Sequence, residues 1–218
     1  LPKFLYFHSK EDNREFFDHY DVFTYWVIRE VQNMGNKKKI LDVGGKKLCN
    51  AVLSLNNEVH SIVLSECGDV ITSVNYYIHD ISNPLPFPDK FFDLFTSPGT
   101  LHLIGLNRYG DILNPNALVY FMCELKRVLK DGGSCYVLLP LGKDSLLFNF
   151  HYIFSFETIN KIFSGFSLID FFVDERVHFG KKRNHFNIDG GRFSQETDVS
   201  NFDIGEYKII YLHFKKCS

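Results

Sequence analysis

The stretch Lys39-Ile40-Leu41-Asp42-Val43-Gly44-Gly45 constrains this chain more than any other. An apolar run ends in a carboxylate and two glycines, and an Ala- and Leu-bearing segment follows over residues 48–55. That succession predicts a buried strand, a tight turn and a helix, the first step of a parallel α/β unit. Glycines suit such a turn because they let the main chain come close to a ligand. In sheets of this kind ligands bind outside the carboxyl ends of the strands.

The remaining chain repeats the alternation. Residues 9–33 predict a helix with Ser9 as its cap. It either covers one edge of the sheet or brings Phe17, His19 or Tyr20 over a ligand. Strands are expected at 59–64, ending at Ser65-Glu66, at 76–79, ending at Asp80-Ile81, and at 91–96, closing at Ser97-Pro98-Gly99. Pro84, Pro86 and Pro88 hold the segment between the last two extended. An amphipathic helix over 117–129 stops at Lys130-Asp131-Gly132-Gly133, and a strand over 135–139 follows. A helix at 156–163, a strand at 168–173 and a last strand at 207–214 complete the pattern. It predicts a single α/β domain over 1–218 with a parallel or mixed sheet and right-handed crossovers. Residues 1–36 form a helical cap in this reading, and the polar, glycine-bearing stretch 180–206 is a mobile loop.

Composition removes several function classes. The net charge of −2 gives no overall field toward nucleic acid or membrane. Five dispersed cysteines without a C-x-x-C pair argue against a disulfide framework and a structural zinc site. No His/carboxylate spacing demands a metal. No apolar run approaches the ~20 residues a membrane span needs, and Leu1 opens no signal-peptide pattern. The cytoplasm is the expected compartment. The 23 Phe and 11 Tyr are read as core bulk. The basic runs at 37–39 and 181–183 are read as solvated faces.

Three cofactor chemistries compete for the glycine turn. A phosphate loop needs G-x-x-x-x-G-K-[ST], which is absent. A dinucleotide fingerprint starting at Gly44 needs glycine where Lys46 and Cys49 stand. A carboxylate at Asp42 also repels a pyrophosphate, whereas the ammonium and sulfonium of S-adenosyl-L-methionine are cationic and would be favoured there. Glu66 lies about 20 residues past the glycines, the spacing at which a carboxylate accepts ribose hydroxyls. Asp80 ends the third strand, placed to accept from an adenine amino group. Singly, each acid is equally a solvated turn residue. Three in succession on one edge of the sheet point to a ligand. The cofactor contacts expected at these strand ends are Asp42, Val43, Gly44, Gly45, Glu66, Asp80, Ile81 and Ser97.

Three segments carry a resemblance: residues 40–45, the run Leu85-Pro86-Phe87-Pro88-Asp89-Lys90-Phe91-Phe92-Asp93, and the run from Glu124 to Gly133. On these the chain resembles class I S-adenosylmethionine-dependent methyltransferases. The resemblance implies a Rossmann-like three-layer α/β fold with a seven-stranded, mostly parallel sheet whose last strand is antiparallel. The family pattern has an acid followed by glycine at every second position; here Lys46 and Leu48 stand where the second and third glycines fall. Residues 101–111, 140–144 and 148–151 further resemble a bacterial methyltransferase-like family that accompanies surface-polysaccharide and sugar-modifying genes. That kinship implies a sugar, nucleotide-sugar or surface-glycan acceptor.

For methyl transfer to a hydroxyl, His102 is the candidate general base: it follows the fourth strand, and an ordinary histidine pKa near ~6.5 suits the task. Arg108, Tyr109, Asp111 and His151 are the candidate acceptor contacts. Arg108 and Asp111 would either bind a polar acceptor or pair with each other. Two other readings stay open. One is an enzyme acting on a small phosphorylated metabolite clamped by Arg108 and Lys143. The other is a non-catalytic binding module on the same fold.

Overall fold

The computed structural model describes residues 18–66, 68–174 and 204–218. In chain order the elements are α1 (His19–Asn33), β1 (Lys39–Val43), α2 (Lys47–Leu53), β2 (Glu58–Val63), β3 (Val74–Ile78), β4 (Phe92–Pro98), α3 (Ala117–Val128), β5 (Leu129–Gly142), β6 (Ser145–Leu147), β7 (His151–Ile153), α4 (Phe156–Ile162), β8 (Phe166–Asp174) and β9 (Tyr207–Lys216). A 3-10 turn at Leu101–Leu103 follows β4. Seven strands form one sheet in the order β3-β2-β1-β4-β5-β9-β8. Pairs from β3 to β5 are parallel, and β9 runs antiparallel between β5 and β8. This is the expected seven-stranded α/β sheet with its antiparallel last strand.

The sheet buries both faces, and strand periodicity divides them. Ile40, Leu94, Tyr136 and Leu138 turn toward α1 and α2. Leu41, Val43, Phe95, Val137 and Leu139 turn toward α3 and α4. Central parallel strands covered on both sides read as continuous apolar runs, which is why β1 and β4 were legible.

Helix α1 begins later than its sequence pattern suggests. Asp18 has extended backbone and accepts from the N–H groups of Tyr20 and Asp21, while Asp21 accepts from the Asp18 N–H in return. This reciprocal capping box fixes the start at His19. The proposed Ser9 cap lies outside the described residues, as does nearly all of the 180–206 loop. The predicted stop at residues 130–133 is instead part of β5, which follows α3 directly. The hairpin of β6 and β7 was not expected; strands of three residues carry too little alternation to be read.

Two segments quoted for the resemblance meet in space. Arg127 of α3 donates to the carbonyls of Leu85 and Phe87 and pairs with Asp89 and Glu124. Glu124 accepts from the Leu85 N–H at 2.7 Å. The proline-bearing segment is thus strapped to α3, and its Leu85 and Phe87 side chains enter the core.

Trp26 anchors α1 to the sheet. It is 5% exposed and meets the rings of Tyr136, Phe172 and Tyr211 edge-on, with centroids 5.0, 5.1 and 6.4 Å away. Removing it leaves a large void, for which ~3–5 kcal/mol is the usual cost. Trp26→Ala should therefore lower the unfolding free energy obtained from urea titration by an amount in that range. A loss below about 1 kcal/mol would show that α1 does not depend on this contact.

Candidate functional site

The chain departs from β1 on opposite sides: β2 and β3 lie one way, β4 and β5 the other. Crevices open at the carboxyl ends of strands where the order reverses in this manner. A cavity of about 430 Å³ lies there, among the ends of β1, β2, β3 and β4. Ligand sites commonly enclose ~300–1,000 Å³. Its wall includes Tyr20, Val43, Gly44, Lys46, Ser65, His79, Asp80, Ile81, Thr100 and Tyr109.

The turn after β1 is shaped by two glycines. Gly44 has φ +129°, and a Cβ on it would stand 2.3 Å from Thr100 Oγ1. Gly45 has φ +64°. The departures from the family pattern cost the backbone nothing. Lys46 has φ −65°, open to any residue, and Leu48 lies within α2 with its side chain 65% exposed.

The structure corrects the reading of Asp42. Its side chain is 1% exposed and does not line the cavity. Oδ2 accepts from the Gly45 N–H at 3.0 Å, from Asn50 Nδ2 at 2.8 Å and from Ser61 Oγ at 2.8 Å. Oδ1 accepts from Thr96 Oγ1 at 3.2 Å. Burial raises its pKa, and the four donors only partly offset that. Asp42 holds the turn, and its carboxylate is turned to these four donors rather than to the cavity. Glu66, exposed three residues beyond β2, is likewise absent from the cavity wall, where Leu64 and Ser65 stand instead. Gly45 and Ser97 also lie outside the lining; Val43, Gly44, Asp80 and Ile81 are in it. Asp80 accepts from the N–H and Oγ of Ser82, which fixes its turn and leaves lone pairs for a ligand.

A second cavity of about 210 Å³ adjoins the first and shares Tyr20, Gly99, Leu103 and Tyr109 with it. It brings together His102, Arg108, Tyr109 and His151, four of the five residues expected on the catalytic and acceptor side. The rings of His102 and His151 meet edge-on with centroids 5.7 Å apart. Arg108 donates to the Phe150 carbonyl at 2.6 Å and lies over the Phe150 ring. Asp111 does not pair with Arg108. Its carboxylate accepts from the N–H groups of Asn107 and Tyr109, shaping the loop, and it faces the first cavity. Lys143 is exposed and lines neither cavity, so the clamp of Arg108 with Lys143 is not formed.

His102 is not the ordinary histidine that the sequence suggested. Burial, with the neighbouring His151, Arg108 and His19, pushes its pKa down to about 3. It is neutral at physiological pH, and its Nδ1 is buried without a hydrogen-bond partner.

Sequence reasoning missed Lys46 as a wall residue. Its Nζ lies 3.6 Å from the centroid of the Tyr20 ring, a cation held over an aromatic face at the cavity edge. Its place in the glycine turn was the available signal. Tyr20 was foreseen only as one option for α1; it forms part of the wall between the two cavities.

The family model described as "Caenorhabditis protein of unknown function, DUF268" matches residues 34–199. The chain belongs to this family. Its description assigns no activity, and it names Caenorhabditis where the sequence alone resembled a bacterial family. No curated protein matches. Solved structures do share the fold. The Burkholderia thailandensis 1,6-didemethyltoxoflavin-N1-methyltransferase, with bound 1,6-didemethyltoxoflavin and S-adenosylhomocysteine, is 11% identical, with a TM-score of 0.60 over 92% of this chain and 80% of that one. A SAM-dependent methyltransferase from Methanosarcina mazei is 14% identical, with a TM-score of 0.55 over 86% and 97%. The [4+2]-cyclase SpnF is 13% identical, with a TM-score of 0.59 over 90% and 82%. The DUF268 chain therefore has the fold of class I S-adenosylmethionine-dependent methyltransferases, and a fold of this kind also carries a cyclase.

The histidines give the protein an acid-sensitive fold. His102 titrates near 3 when folded and near ~6.5 when unfolded, so between these values the unfolded chain binds the extra proton. His213, stacked on Tyr136, is pushed down to about 4 and His151 is shifted in the same direction, in both cases chiefly by burial. Their contribution is complete above about pH 6.5 and is lost as pH falls through that window. The urea midpoint should drop between pH 7 and pH 5, before carboxylates protonate, and His102→Gln should flatten the slope. A flat wild-type profile over that range would contradict the burial of these rings.

Proposed function

We propose that the protein is an S-adenosyl-L-methionine-dependent methyltransferase that O-methylates a sugar, nucleotide-sugar or surface-glycan precursor. One observation carries the reading. A cavity walled by a glycine turn, by Asp80 and Ile81 beyond β3 and by Lys46 adjoins a second cavity that holds an unpartnered imidazole nitrogen. The fold shared with S-adenosylmethionine-dependent methyltransferases supports it. The acceptor class rests on the sequence kinship of residues 101–111, 140–144 and 148–151 alone.

The residues of the first cavity fit the donor. Asp80 has lone pairs free for an exocyclic amine, and apolar Leu64, Ile81 and Leu103 suit a purine face. Lys46 supplies the one ammonium that a donor carboxylate would seek. No phosphate-binding motif competes with this fit. When bound, the donor supplies a methyl group on an already activated sulfonium.

The chain's own residues then orient and enclose. Neutral His102 accepts a hydrogen bond from an acceptor hydroxyl at Nδ1, holding its oxygen toward the shared wall. A group with a pKa of about 3 retains a full proton poorly, so its contribution is orientation more than proton storage. Tyr20 and Tyr109 stand in the wall common to both cavities and limit the water between them.

Calorimetry with S-adenosylhomocysteine tests this reading. Saturable heat is expected, weakened about tenfold, or ~1.4 kcal/mol, in Asp80→Ala. Absence of heat from the folded wild-type protein at millimolar ligand would reject the function and favour a binding module on the same fold. Lys46→Ala should weaken the same titration by a comparable factor, while unchanged affinity would remove Lys46 from the donor site.

A further inference from the structure

The second cavity gathers basic side chains. Its wall carries His19, His102, Arg108 and His151, and no carboxylate among the described residues lines it. Arg108 makes no ion pair among the described residues; its one hydrogen bond goes to the Phe150 carbonyl, while its guanidinium lies 4.5 Å from the Phe150 ring centroid. The nearby acid Asp111 is turned away from it, accepting from two backbone N–H groups and lining the first cavity. A guanidinium has five N–H donors in a planar fork, so most remain available.

Two imidazoles face the same space. His151 is 4% exposed, and its Nε2 is buried without a partner; so is Nδ1 of His102. Buried polar atoms are almost always satisfied, so two orphans beside a guanidinium without an ion pair among the described residues call for a polar ligand that brings negative charge. Apolar Leu138, Pro140 and Ile209 close the floor and strengthen any such charge interaction by excluding water.

We propose that this cavity is an oxyanion site that takes a carboxylate or phosphate group of the acceptor, with Arg108 as the fork and His151 as a flanking donor, while His102 keeps its role toward the acceptor hydroxyl. The proposal rests on the reading of the first cavity as the donor site. It narrows the acceptor from any glycan to one bearing an anionic group, such as a uronic acid, a sugar phosphate or a nucleotide sugar. Burial, with the Arg108 charge beside it, keeps these imidazoles neutral, and a bound anion would offset that charge. A neutral sugar would leave the guanidinium unanswered.

Equilibrium binding to the full chain at pH 7 tests it, with inorganic phosphate, acetate and neutral methyl glucoside as probes, each with and without S-adenosylhomocysteine. Saturable binding of phosphate, of acetate or of both is expected, at least tenfold weaker in Arg108→Gln, and intermediate in Arg108→Lys, which keeps the charge and loses the fork. Phosphate alone identifies a phosphoryl acceptor; acetate alone identifies a carboxylate. His151→Gln, which alters the cavity from another element, should weaken the same anion should Arg108→Gln fail to fold. Binding that is equal in wild type and both variants, no binding of either anion, or tighter binding of the neutral sugar would overturn the proposal. Loss of S-adenosylhomocysteine binding with anion binding retained would strike the methyltransferase reading and leave the oxyanion site standing.

Discussion

Everything at the mouth of this sheet depends on one buried carboxylate. Strand register places Asp42 opposite Ser61 on one side and Thr96 on the other, so β1, β2 and β4 each contribute to a single polar row. Asn50 reaches down from α2, and the Gly45 N–H returns from the turn. Three strands, a helix and a turn thus meet on two oxygens. A buried anion is costly unless it is well solvated by fixed donors, and here burial still prevails in raising the pKa. The cost is offset by geometry. With the register fixed, Gly44 is pressed against Thr100 and both cavity walls follow.

Asp42 also shows where sequence reading fails. Its position at a strand end before two glycines was visible, and so was its identity. Its direction was not: parity along β1 puts Asp42 on the same face as Ile40, toward α2, and only the partners across the sheet reveal that the face is dry. Glu66 differs in another way. Counting residues past the glycines placed it near a ribose, but β2 ends at Val63, and Leu64 and Ser65 are the residues that come to the wall. Spacing in sequence predicts distance only while the strand lasts. The strands themselves were legible because burial on both faces forces unbroken apolar runs, whereas the hairpin of β6 and β7 is too short for any period. Lys46 and Leu48 looked like defects only against a glycine pattern; the observed backbone at Lys46 requires no glycine.

The acceptor side divides along the same line between identity and environment. His102, Arg108, Tyr109 and His151 are separated by up to 49 residues, and the sequence suggested that they share a rim. What it could not supply was the field among them. Burial, reinforced by His151 and Arg108, holds His102 neutral, so the residue chosen as a base for its ordinary pKa has lost it. Shared fold does not settle such questions, since the same architecture carries an N-methyltransferase and a cyclase. Chemistry here is decided by local charge.

The two cavities share Tyr20, Gly99, Leu103 and Tyr109, which stand between them. The placement of this wall is fixed from both ends of the fold. Gly99 has φ +81°, and a Cβ there would approach Tyr20 Cε1 to 3.1 Å, so β4 hands the chain over directly beneath the ring. From the other side, the Tyr211 hydroxyl of β9 donates to the His19 carbonyl at 3.1 Å, and the Asp18–Asp21 box begins α1 one residue earlier. Tyr20 therefore stands where it does because a strand in the core, a helix cap and a glycine turn agree on one position. Lys46 then settles on its ring from the turn that Asp42 holds. The wall between donor and acceptor is in this way an extension of the core, and its rigidity comes from contacts made far from any ligand.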